Sequence, residues 1–213
     1  MPGALRIDVF VELICPWCLI GKRQLARALE RFSQSDPHVP VQVHWRPVQL
    51  VAQVPPQGWA FAEFYLRRLG SPEAVQQRQA QVQAAAAQAG VDIDLSRIQR
   101  FPNTSRAHRL VEFATIQRTA SVDALLERLF DAYFCRGEDI GDSATLLVIA
   151  QEIGLEADTA RPWLETTPPP ARPAPVTGVP LFVFNGRLSL SGAQPPETLW
   201  SAMRRASEGA TKA

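Results

Sequence analysis

The junction Glu12-Leu13-Ile14-Cys15-Pro16-Trp17-Cys18-Leu19-Ile20-Gly21-Lys22-Arg23 restricts the fold more than any other stretch, because an apolar run gives way there to a helical pattern that opens on two cysteines. Before it, Leu5, Ile7, Val9, Phe10, Val11 and Leu13 alternate and then run apolar, which predicts a largely buried strand. After Pro16, the residues Leu19, Ile20, Leu25, Leu29 and Phe32 recur at helical spacing among Lys22, Arg23, Arg27, Glu30 and Arg31, so an amphipathic helix begins at the cysteine pair, with Lys22 and Arg23 expected on its solvated face. A second strand over about residues 39–47 alternates Val41, Val43 and Trp45 with Gln42, His44 and Arg46, after a turn at Asp36-Pro37. Strand, helix, strand is the opening of an α/β fold.

The middle of the chain is predicted to be helical. Ser71-Pro72 is an N-cap followed by proline at the first helical position, and Gly90 closes the Gln/Ala-rich run 76–89. Val122, Leu125, Leu126, Leu129, Phe130, Tyr133 and Phe134 follow the i, i+3, i+4, i+7 template, and a further helix from Ser143 stops at Gly154. The stretch Thr166 to Pro175 is too rich in proline for a helix or a central strand and reads as an extended connector. Behind it, residues 180–184 and 187–190 flank Asn185-Gly186, a strong hairpin signal, and a last amphipathic helix covers about 196–206.

Composition narrows the function. With 22 Lys plus Arg against 21 Asp plus Glu, the net charge of +1 gives no electrostatic reason to expect nucleic acid or an anionic membrane as partner. No stretch approaches the roughly 20 apolar residues of a membrane span, and Arg6 and Asp8 interrupt the apolar core that a signal peptide would need. A cytoplasmic protein is therefore expected. In that reducing compartment three cysteines are not a structural disulfide scaffold, and a close pair is reactive or metal-bound.

Cys15 stands where a helix begins, and the unpaired backbone N–H groups and dipole of a helix N-terminus favour a thiolate. Cys18 lies one turn along on the same side, within reach of the first sulfur but deeper. Cys15 is thus the expected attacking sulfur and Cys18 the resolving one, with Pro16 suited to the first turn. A metal site would need a further ligand set, and His38, His44, His108 and Cys135 offer no ligand-like spacing, so no metal is expected. Two cysteines serving only as small core residues is the remaining alternative. Trp17, between the cysteines, is expected to be exposed and to contact an apolar substrate, whereas Trp45, Trp59, Trp163, Trp200 and Cys135 are expected to be packing residues.

Cys15-Pro16-Trp17-Cys18 after a buried strand, residues 103–110 (NTSRAHRL), residues 132–142 (AYFCRGEDIGD), Gly178-Val179-Pro180-Leu181-Phe182-Val183 and Ser191-Gly192-Ala193-Gln194 together resemble the FrnE-type branch of the DsbA family. The resemblance implies an α/β, thioredoxin-like (DsbA-type) fold with a helical insertion domain. Residues 1–55 and 176–213 would form the thioredoxin-like domain, 56–165 the inserted helical domain and 166–175 the proline-rich connector. It also implies a cis Val179–Pro180 bond facing the cysteine pair, with the Val179 backbone available to a substrate chain, and it brings Asn103 and His108 near the thiols as candidate substrate contacts. Cys15, Cys18 and Pro180 are the catalytic candidates, and Pro16, Trp17, Val179, Asn103 and His108 the substrate-binding ones. The chain departs from the family in its proline-rich connector, so a shortened or remodelled approach to the pair is expected.

The leading expectation is a thiol-disulfide oxidoreductase acting on protein or small-molecule thiols and disulfides without a prosthetic group. A glutathione-dependent isomerase of the 2-hydroxychromene-2-carboxylate isomerase type is an alternative, with glutathione as co-substrate, although that type commonly has serine at the nucleophile position. A redox-inactive chaperone or binding module is a third reading. A homodimer is a candidate assembly, and Pro-Trp between the cysteines does not by itself fix the direction of electron flow.

Overall fold

The computed structural model describes residues 4–117, 121–166 and 176–210, so the predicted proline-rich connector falls outside the described residues except for Thr166. In chain order the first elements are β1 (Leu5–Val11), α1 (Pro16–Ser35), β2 (Val41–Pro47), β3 (Trp59–Ala60), α2 (Phe61–Leu69), α3 (Pro72–Gln88) and, after a short 3-10 turn, β4 (Arg100–Phe101). There follow α4 (Ser105–Gln117), α5 (Val122–Phe134), α6 (Ser143–Glu152), α7 (Ala157–Thr166), β5 (Leu181–Phe184), β6 (Leu188–Ser191) and α8 (Pro196–Ala210). The chain divides into two compact units, Met1–Arg46 with Pro173–Ala213, and Pro47–Arg172. No helix among the described residues is long and apolar enough to cross a membrane.

The first unit is built on a four-stranded sheet in the order β2-β1-β5-β6. The period of two along β1 puts Leu5, Ile7, Val9 and Val11 in the core, and antiparallel pairing sets Ile7 opposite Phe184 and Val9 opposite Phe182. Helix α8 packs on β1, β5 and β6 and against α1, bringing Leu199 and Met203 into a core shared with Leu25 and Phe32 of α1. The alternate residue Asp8 is also buried, because Arg6 and Arg46 satisfy its carboxylate through hydrogen bonds of 2.7 to 3.0 Å. The three-residue connection from β5 to β6 turns at Asn185 and Gly186, with positive φ of 49° and 68°, and is closed by the Arg187 N–H donating to the Phe184 carbonyl at 3.0 Å. Asn185 also ties this turn to the unit: its Oδ1 accepts from the Arg6 N–H and its Nδ2 donates to the Ala206 carbonyl.

The second unit is mainly helical, with α4 packed on α5, α6 and α7. Its helices start where side chains cap them. The Ser71 Oγ accepts from the Ala74 N–H and the Ser121 Oγ from the Ala124 N–H, while Asp142, one residue before the predicted start, accepts from the Thr145 N–H. The unit also holds the antiparallel ladder β3–β4, where sequence periodicity indicated only helices. Each strand has two residues, too short to show a period, and the pairing is held by tertiary stacking of Trp59, Phe64 and Phe101.

Candidate functional site

The turn from Glu12 to Cys15 carries the chain from β1 into α1, closed by the Cys15 N–H donating to the Glu12 carbonyl at 3.1 Å. Cys15 is the N-cap of α1 and makes no side-chain cap bond; Pro16 occupies the first helical position, and no acidic side chain lies in the first turn. The first-turn backbone N–H groups of Trp17 and Cys18 therefore favour negative charge on the Cys15 sulfur. Cys15 and the Pro16-Trp17 pair are half-buried, whereas Cys18 is fully buried. All three cysteines, Cys15, Cys18 and Cys135, carry free thiols.

The two sulfurs of the pair are electrostatically unlike. The Cys15 thiol is held below its ordinary value by a hydrogen bond from Cys18; burial opposes this, and the backbone N–H groups of Cys18 and Trp17 favour the thiolate. Burial pushes the Cys18 thiol well up, and the hydrogen bond it gives to Cys15 and the negative charge on that sulfur push it further. A second segment reaches the site from the far end of the chain. The Val179–Pro180 bond is cis, and the Cys15 Sγ stands 4.0 Å from the Val179 carbonyl oxygen. Gly21, on the second turn of α1, lets this segment approach, since a Cβ there would lie 2.9 Å from the Pro180 Cγ and 3.2 Å from the Phe182 ring.

Within the first unit Val179 therefore stands against Cys15, the neighbour of Pro16 and Trp17 in the chain, and Pro180 packs beside Gly21 of the same helix. Asn103 and His108 belong to the second. Asn103 is occupied there, its Oδ1 accepting from the Ser105 N–H and from Gln49 Nε2 and its Nδ2 donating to the Val54 carbonyl. His108 is buried in α4 at 1% exposure. Lys22, expected on a solvated face, is instead 6% exposed, with its ammonium 5.9 Å from the centre of the Trp45 ring. Its stem packs into the unit and a cation–π contact accommodates the charge, which periodicity does not encode. Cys135 is half-buried, and its thiol donates to the Asp92 carbonyl at 3.2 Å. Among the described residues no group of three or more His, Cys, Asp or Glu side chains is arranged to hold a metal.

One residue of the site escapes sequence reasoning. Glu12, 1% exposed, bends its carboxylate back to accept from the Leu13 N–H at 2.8 Å, while its own N–H donates to the Cys18 sulfur at 3.4 Å. Its one visible signal is that it is the lone charge within the apolar run Val9 to Ile14.

A sheet flanked by α1 and α8, a cysteine pair at the start of α1 and a cis-proline segment beside it define a thioredoxin-fold protein of the DsbA-like oxidoreductase class. Residues 6–204 match the DSBA-like thioredoxin domain, and the chain belongs to that family. It is similar to a probable DsbA oxidoreductase from Streptomyces coelicolor, 27% identical with a TM-score of 0.81, over 95% of this chain and 89% of that one. It also resembles the uncharacterised protein YwbO of Bacillus subtilis, 26% identical over 76% of this chain and 72% of that one. The cytosolic disulfide reductase DsbM from Pseudomonas aeruginosa, in a structure with GSH, shares the fold at 18% identity and a TM-score of 0.58, over 94% of this chain and 98% of that one.

Proposed function

We propose that the protein is a cytoplasmic thiol-disulfide oxidoreductase in which Cys15 attacks and Cys18 resolves. The observation that carries this reading is the asymmetry of the pair: a half-buried Cys15 whose thiolate is favoured, hydrogen-bonded by a fully buried Cys18 whose thiol is held protonated. In the reducing direction the Cys15 thiolate attacks one sulfur of a substrate disulfide. A bond forms between Cys15 and that sulfur, the substrate S–S bond breaks, and the departing sulfur takes a proton. Cys18 then loses its proton and attacks the Cys15 sulfur, which releases the second substrate thiol and leaves the Cys15–Cys18 disulfide. Two electrons have passed to the substrate, and the oxidising direction is the reverse.

Val179 and Pro180 supply the backbone wall against which the substrate chain lies beside Cys15, and Pro16 and the half-exposed Trp17 supply its apolar contact. Glutathione is the small-thiol partner to test first, because a DsbM structure of the same fold was obtained with GSH. Equilibration in glutathione buffers, followed by the fluorescence of Trp17, should give one reversible two-electron transition between about −270 and −120 mV, the range spanned by reductant and oxidant members of this fold. With Cys18→Ser, the first step should proceed and the second should stop, so that a Cys15 mixed disulfide accumulates by mass spectrometry. A wild-type protein with no reversible transition, or a Cys18→Ser variant with full turnover of disulfides, would overturn the reading.

A further inference from the structure

The sheet of the first unit has two unlike faces. Helix α8 covers one of them, where Ile7, Val9, Phe182 and Phe184 are at most 1% exposed. On the other face the register sets Phe10, Leu181 and Ser191 in one row, and Asp8, Val183 and Ser189 in the next. Where the second face of an antiparallel sheet meets only water, its outward positions are polar. Here Phe10, Leu181 and Val183 occupy them, all half-buried, and with Ser189, Ser191 and Arg187 they line a cavity of about 430 Å³. That volume lies within the roughly 300–1,000 Å³ of small-molecule sites.

The charge around this cavity has one sign. Among the described residues no acidic side chain lines it, and Arg187, which is exposed, makes no ion pair. The carboxylate of these two rows, Asp8, already accepts from both Arg6 and Arg46, so that trio carries a net positive charge. We propose that the cavity is a binding site for a small amphipathic carboxylate. Its hydrocarbon body lies on Phe10, Leu181 and Val183, its carboxylate pairs with the Arg187 guanidinium, and Ser189, two residues along the chain from Arg187, offers a hydroxyl beside it. Burial of apolar surface supplies the affinity, and the planar N–H fork of an arginine supplies the preference for an acid. A second copy docked on the same surface about a twofold axis would set a face of one sign against its equal, whereas an anion matches it. These side chains are not those placed at the sulfurs, and the proposal does not rest on the oxidoreductase reading.

The test is isothermal titration calorimetry of the full chain with decanoate and with decan-1-ol, which has the same hydrocarbon body and no charge, for wild type, Arg187→Gln and Ser189→Phe. Wild type should take up one decanoate per chain and bind it about tenfold tighter than decan-1-ol. Arg187→Gln should abolish that preference while holding decan-1-ol within about threefold of wild type. Ser189→Phe puts an aromatic side chain, which suits a strand, into the cavity and should weaken both probes by about tenfold or more. Circular dichroism and the urea midpoint establish that each variant is folded, and Arg187→Gln, a change at an exposed turn residue, tests the charge pairing independently of Ser189→Phe. A wild type that binds neither probe overturns the proposal. So does an Arg187→Gln variant that keeps the preference for decanoate, or a folded Ser189→Phe variant that binds both probes as wild type does. A wild-type dimer in sedimentation velocity that Ser189→Phe converts to monomer, with no decanoate bound, assigns the face to a second copy and likewise overturns it.

Discussion

Replacing Gly21 with alanine sets two opposed effects against each other at one atom. In an ordinary helix interior the change is favourable by about 0.8–1.0 kcal/mol, because glycine loses more backbone freedom on folding. Here the new Cβ would stand 2.9 Å from the Pro180 Cγ and 3.2 Å from the Phe182 ring. The first contact is with a ring atom that has no rotamer to escape into, and the second with a side chain that is itself fully buried. Overpacking of this kind costs about 1–3 kcal/mol, so the net expectation is a loss of about 1 kcal/mol. At an m-value of about 2 kcal/mol/M, that lowers the urea midpoint by about half a molar. Relief must come from moving the 179–182 segment away from α1, which also draws the Val179 carbonyl away from the Cys15 sulfur, so disulfide turnover should fall together with stability. Gly178→Ala, where the new Cβ meets nothing within 4 Å, serves as the control and should be nearly neutral in both assays. A Gly21→Ala protein that is more stable by about 1 kcal/mol, with turnover unchanged, would show that helix propensity alone governs the site and would refute the close-packing argument.

Three further outcomes are expected. Cys15 should alkylate half-maximally below pH 9.0, the ordinary value for its thiol, while Cys18 in the folded protein resists modification; peptide mapping after brief labelling checks both. Cys135 should label more slowly than Cys15 at neutral pH, because burial and the charges of Asp131, Asp92 and Glu127 raise its thiol. Asp8→Asn should cost about 1–2 kcal/mol at pH 7 by weakening the charge-assisted hydrogen bonds from Arg6 and Arg46. Burial alone would raise the Asp8 carboxyl, but those two arginines bring it below its ordinary value. Its contribution is therefore present above the unfolded carboxyl value of about 3.9 and is lost as pH falls through the lower folded value. Urea curves of wild type and Asp8→Asn should accordingly converge in acid, and a gap that persisted there would contradict the assignment.

What the sequence determined by itself was local. The alternation of Leu5 to Val11, the helical spacing after Pro16 and the Asn185-Gly186 turn each depend on backbone geometry within a few residues, so they predicted β1, α1 and the β5–β6 hairpin, and with them a cysteine pair at a helix N-terminus. Tertiary structure decided what depends on partners distant in the chain. It set Val179 against Cys15 across 164 positions, buried Cys18 and Glu12 together, drew Lys22 in over Trp45, and paired two-residue strands through Trp59 and Phe101. No local period carries these contacts, because burial and close approach are set by whichever surfaces meet. The sequence therefore marked the two sulfurs and which of them a helix N-terminus would favour as thiolate, while the tertiary structure supplied the burial that raises the Cys18 thiol and the hydrogen bond from Cys18 that lowers the Cys15 one.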